Sequence, residues 1–117
     1  MAFRNPAVQR ADMVMACERI PQYCEDRTLL ESMDDTLLFD AVLRNLTVLG
    51  EAAGRIDRLW TARHPEVPWT DITGIRHRVV HDYGHVDPEV VWTTVQDDTP
   101  RILPVLRHVL AGTRARP

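Results

Sequence analysis

The residues able to do chemistry crowd into one twelve-residue stretch, GIRHRVVHDYGH, from Gly74 to His85. It sets Arg76, Arg78, His77, His81, His85, Asp82 and Tyr83 around Val79 and Val80. An arginine fork can hold a phosphate and steady its developing charge, and a histidine can move a proton near neutral pH. On a helical wheel at about 100° per residue, Ile72, Ile75 and Val79 face a core. Arg76 and Tyr83 then fall on nearly one line, with His77 and His81 stacked four apart beside it. Four roles are open for this stretch. It is a surface helix with an Arg78–Asp82 ion pair and a half-buried Tyr83, or a zinc site built on His77 and His81 with His85 or Asp82. It is otherwise an acid–base site for a phosphodiester, or a place where the Tyr83 hydroxyl accepts a group from a modifying enzyme. Spacing alone does not separate the last two.

The elements that must position this stretch read as helices. The chain has 117 residues, 44% of them hydrophobic, enough for one core and too few for two, so residues 1–117 are read as one domain. Strand-like alternation with Asn-Gly or Asp-Gly turns is missing. Asn5-Pro6 should start a first helix running to about Glu25, with a stripe of Val8, Met15, Ile20 and Tyr23 beside Met13, Val14 and Cys17 and an interruption at Pro21. Thr28 should cap the short turn LLESM. Asp34 or Asp35 should cap a long central helix with Leu38, Val42, Leu46, Leu49, Ala53 and Ile56 at helical spacing. A short helix and a Pro-punctuated loop follow. Thr70 is expected to cap the helix that carries the motif to about Gly84. Asp87-Pro88 starts the last helix, which Pro100 and Pro104 should kink or split, and the tail should fray. The expectation is an all-α, up-and-down bundle of four to five helices.

Charge and cysteine usage narrow the setting. The net charge is −3, so no general polyanion surface is expected, and any nucleic-acid contact must be a local basic patch. All 14 basic side chains are arginine, so every cation is a planar fork. Cys17 and Cys24 lie about 10 Å apart if they share a helix, beyond the roughly 7 Å that a disulfide spans, which points to free thiols and a cytoplasmic setting. Neither a leader nor a membrane span of about 20 apolar residues is apparent.

With these pieces in place, the sequence resembles the HepT-like toxins of the HEPN superfamily, partners of MNT-type minimal nucleotidyltransferases in prokaryotic toxin–antitoxin pairs. The family pattern Arg-x4-His-x-Tyr is met by Arg76, His81 and Tyr83. LLFDAVLRNLTVLGEAAGRI is similar to the family's central helix with its Gly-Glu-Ala segment. HPEVPWTDITGIRHRVVHDYGHVDPEVVW is similar to its Pro-x-x-Pro-Trp loop, motif helix and following helix. The resemblance covers about residues 10 to 105. It implies a HEPN-like bundle, a homodimer whose motifs share one cleft, and metal-independent RNA cleavage without a cofactor. His81 is then the general acid or base and Arg76 the phosphate holder, with Arg78 adding to the local positive field. Tyr83 is implied as the site that an MNT antitoxin adenylylates, placing charge and bulk in the cleft. His77 departs from the family, which carries a polar residue there, most often Asn. Glu51 is read as a structural salt-bridge partner or as a residue orienting Arg76, because a carboxylate in an apolar run is expensive to bury unpaired. The competing reading is a HEPN nucleotide-binding or scaffolding module without nuclease activity, regulated through Tyr83. Trp69 and Trp92 are expected in packing, and His64 and His108 on the surface.

Overall fold

The structure is a computed structural model and describes residues 6–81 and 85–114. Asp82, Tyr83 and Gly84, together with the ends of the chain, lie outside the described residues.

Helix α1 spans Pro6–Tyr23 with Pro21 inside it. A capping box starts α2, Leu29–Asp34: Glu31 N–H donates to the Thr28 hydroxyl, and Thr28 N–H donates to the Glu31 carboxylate. Asp35 then caps α3, Thr36–Arg55, by accepting from Leu38 N–H at 3.0 Å. Short helices follow: α4, Arg58–Ala62, α5, Trp69–Thr73, and α6, Ile75–Val79. Strands β1, Val80–His81, and β2, His85–Val86, form a minimal antiparallel ladder pairing Val80 with Val86 and His81 with His85. Asp87 caps α7, Pro88–Thr93, with Pro88 in its first turn. A π-helical turn, Thr94–Asp98, leads into α8, Thr99–Arg114. The fold is all-α apart from that ladder.

Helix α3 lies at the centre, packed along α1 on one side and against α5 and α6 on another, while α8 flanks α1. The core joins Met13, Cys17 and Ile20 of α1, Leu46 and Leu49 of α3, Ile72, Ile75 and Val79 of the motif segment, and Ile102 and Leu106 of α8. On α1 the orientation differs from the expected stripe. Met13, Val14 and Cys17 are buried, whereas Val8 and Met15 are exposed. Cys17 and Cys24 are both free and buried, and burial pushes the Cys17 thiol up to about 12.

Two sequence expectations about the last helix resolve into one device. The joints at Thr94 and Thr99 keep helical dihedrals, so α7, the π turn and α8 are continuous backbone. Pro100 offers no N–H, and the disturbance is taken up just before it. Thr99 N–H donates to Thr94 O in the π register, and the Thr99 hydroxyl takes over Val95 O at 2.8 Å. Pro104 sits inside α8 without ending it.

Candidate active site

The motif does not lie on one helix. Trp69, rather than a residue after Thr70, begins α5, and Pro68 precedes it with no side-chain cap. An irregular turn at Gly74, which keeps right-handed dihedrals, joins α5 to α6. Helix α6 ends at Val79, because Val80 turns to extended dihedrals and pairs with Val86. β-Branched valines at 79 and 80 favour that exit. The wheel that stacked His77 on His81 therefore does not hold past Val79. His77 is helical, His81 closes β1, and Tyr83 and Asp82 fall outside the described residues. The zinc reading loses its helical i, i+4 premise, and the side chains of His81, Asp82 and His85 lie outside the described residues.

Ile75 and Val79 bury one side of α6 and turn Arg76 and His77 to solvent. The backbone under Arg76 rests on α3 at Gly50. A β-carbon built at Gly50 would stand 3.3 Å from Ile72 O and 3.8 Å from Arg76 N. Glycine is what admits this approach, and it sits inside the segment Leu49 to Ala52. Glu51 plays a different part from the one expected. It is exposed, lines a groove between α1 and α3 with Arg19, Arg44 and Arg55, and forms no ion pair with Arg76. No buried carboxylate needs compensating there.

The two motif arginines have separate fates. Arg78 is engaged: Nη1 donates to Asp71 O at 3.1 Å, and Nη2 lies 3.6 Å from an Asp98 carboxylate oxygen. Arg101 bridges the same acids, 3.8 Å from Asp98 and 3.8 Å from Asp71. This chain of charges ties α5 and α6 to the π turn and α8. Arg76 has no ion pair among the described residues, so its fork is open to an anionic ligand. Asp71, Asp98 and Arg101 carried no recognisable signal in the sequence, since their link to Arg78 depends on the packing of α8. Gly50 was visible as a helix-interior glycine, a costly choice that marks close approach.

The aromatic residues flanking the motif form a second feature. Trp69 Nε1 donates to His64 O at 2.9 Å, and its ring meets Trp60 edge-on at 5.9 Å. Trp60 in turn contacts the His64 ring at 4.3 Å and carries the Arg10 guanidinium at 5.1 Å. His64 is thus part of this cluster and half-buried, while His108 is exposed.

Comparison with known proteins identifies the family. Residues 13–109 match the family described as Ribonuclease HepT-like. The chain is 32% identical over 91 residues to the "Probable ribonuclease HepT" of Thermococcus cleftensis, covering 78% of this chain and 83% of that protein. A "Putative RNase" of Caldanaerobacter subterraneus subsp. tengcongensis is 23% identical over 107 residues, covering 92% and 96%. A "Putative RNase" of Methanocaldococcus jannaschii is 28% identical over 91 residues, covering 78% and 84%. No solved structure matches. A family match over residues 13–109 and 32% identity to the Thermococcus relative show that the chain belongs to the HepT-like ribonuclease family of HEPN type.

Proposed function

We propose that the chain is a metal-independent endoribonuclease and the toxin of a HEPN/MNT toxin–antitoxin pair. His81, as general base, takes the proton of a ribose 2′-hydroxyl, whose oxygen bonds to the adjacent phosphorus. The P–O5′ bond breaks, and the leaving oxygen gains a proton, leaving a 2′,3′-cyclic phosphate and a 5′-hydroxyl. Arg76 holds the phosphate and its growing charge. The chain pairs with a second copy, so two motifs share one cleft, and the second imidazole supplies the acid that one His81 cannot supply at the same moment. His77, exposed beside Arg76, adds a further imidazole to that cleft. The observation that carries this reading is the division of labour between the arginines: Arg78 is tied to Asp98 and Asp71, and Arg76 is left open.

Regulation belongs to Tyr83. An MNT-type nucleotidyltransferase transfers AMP from ATP to its hydroxyl, releasing pyrophosphate. The added phosphate opposes RNA in the cleft. The test is cleavage of RNA by purified protein in EDTA, alone and after co-expression with the nucleotidyltransferase. Wild type should cut, and Arg76→Ala and His81→Ala should each be inactive while folded. Intact mass should rise in AMP-sized steps on co-expression, and not in Tyr83→Phe. Full activity in both the Arg76 and His81 variants would overturn the catalytic assignment. A folded wild type that never cuts RNA would instead favour a binding module.

A further inference from the structure

A groove of about 500 Å³ opens between α4 and α5. Its walls include Arg58, Ala62, Pro65, Pro68, Trp69 and Thr70, over a buried Val67. One residue of its lining links the groove to the motif helix. Asp71, at its rim, accepts from Arg78 of α6 through its backbone oxygen at 3.1 Å, and α5 runs into α6 at Gly74.

The composition suits a flat heteroaromatic ring. Trp69 is half-buried and held in one orientation by its bond to His64 O and its edge contact with Trp60, so its exposed part is a fixed wall. The two proline rings are stiff. Arg58 is exposed and its guanidinium forms no ion pair among the described residues, and a planar guanidinium stacks on rings as well as donating. Single-stranded RNA is recognised by splaying bases onto aromatic faces and arginine planes.

We infer that this groove is a nucleobase subsite, taking an unstacked base of the RNA strand that flanks the phosphate held by Arg76. The inference rests on the ribonuclease reading above and deepens it. Sequence preference at one position near the cut is then set by this shelf rather than by the histidines.

The probe is a fluorescein-labelled single-stranded RNA octamer bound to the full-length His81→Ala protein, read by anisotropy. Abasic ribonucleotides are placed at successive positions. One abasic position should weaken binding about tenfold, the usual weight of one stacked base. The same position should cost nothing once Ala62→Phe, at an exposed site, fills the groove, and its cost should shrink in Arg58→Ala. Circular dichroism confirms that both variants fold. If the octamer binds and every abasic cost is the same with and without Phe at position 62, the subsite is refuted and the ribonuclease reading stands. If the octamer does not bind and wild type does not cut RNA, both fall together.

Discussion

A methyl group at position 50 measures how tightly α3 sets the motif helix. Replacing a helix-interior glycine by alanine ordinarily stabilises by roughly 0.8–1 kcal/mol, because the unfolded chain loses freedom. At Gly50 a new β-carbon would meet Ile72 O at 3.3 Å, tight enough that the neighbour must give by a few tenths of an ångström. That neighbour is backbone of α5, and Arg76 N and Thr73 O follow at 3.8 and 3.9 Å. Gly54, on the next turn of α3, is the control. Its β-carbon would meet only Thr73 Cγ2 at 3.9 Å, an ordinary contact. Gly54→Ala should therefore gain about 0.5–1 kcal/mol, a rise of roughly 2–5 °C in Tm for a chain of this size. Gly50→Ala should gain nothing, or lose up to about 1 kcal/mol, since the push on α5 cancels the helix gain. The displacement falls on the joint that carries Arg76. A misplacement of about 1 Å costs up to roughly 100-fold in rate, so a few tenths should lower kcat/KM by several-fold to about tenfold. Urea unfolding followed by circular dichroism, with RNA cleavage on the same samples, checks both effects. If the two alanine variants gain equal stability and Gly50→Ala cuts RNA at the wild-type rate, α3 does not set the position of Arg76.

Leu46→Ala should cost about 2–5 kcal/mol, because the side chain is fully buried where α3 meets the core; a urea midpoint that scarcely moves would show that the core collapses around the gap. Cys17 holds its proton to about pH 12 in the fold and to about 9 when unfolded, so its stabilisation is complete below pH 9 and is lost as pH rises toward 12. The urea midpoint should fall between pH 8 and 10.5 more steeply in wild type than in Cys17→Ala; parallel slopes would contradict the buried thiol. The Arg78–Asp98 pair is partly exposed and should be worth no more than about 1 kcal/mol in a double-mutant cycle with Arg78→Ala and Asp98→Ala, shrinking further in 0.5 M salt; a coupling of several kcal/mol would mean the pair is desolvated.

The parts of the fold legible in the sequence are those whose physics is local. Thr28 with Glu31, Asp35 before Leu38, and Asp87 before Pro88 satisfy helix-end N–H groups within three residues, and each cap forms as its spacing predicts. The motif segment was misread because helical periodicity was carried past Val79. What ends the helix is the pairing of Val80 with Val86, a contact six positions on that no wheel includes. Pro100 announced a disturbance, but the form it takes depends on the Thr99 hydroxyl reaching Val95 O.

The same limit governs the site. The residue types and their order were enough to suggest the family, because Arg76, His81 and Tyr83 are fixed by spacing. What each side chain is free to do is a tertiary property. Glu51 drew attention as a charge in an apolar run, yet the helix turns it about 100° from Gly50, toward the groove with α1. Its small neighbour makes the contact under the motif. Arg76 and Arg78 look equivalent in the sequence, two residues apart on one short helix. Asp98, twenty positions downstream, makes them different by pairing with Arg78 and leaving Arg76 open. An arginine open to a phosphate has to be spared such partners, and among the described residues Asp71 and Asp98 are paired with Arg101, and Asp98 with Arg78 as well. The acidic balance of the whole chain therefore does not by itself oppose an anion at Arg76, because Asp71 and Asp98 beside the motif helix are paired with Arg78 and Arg101.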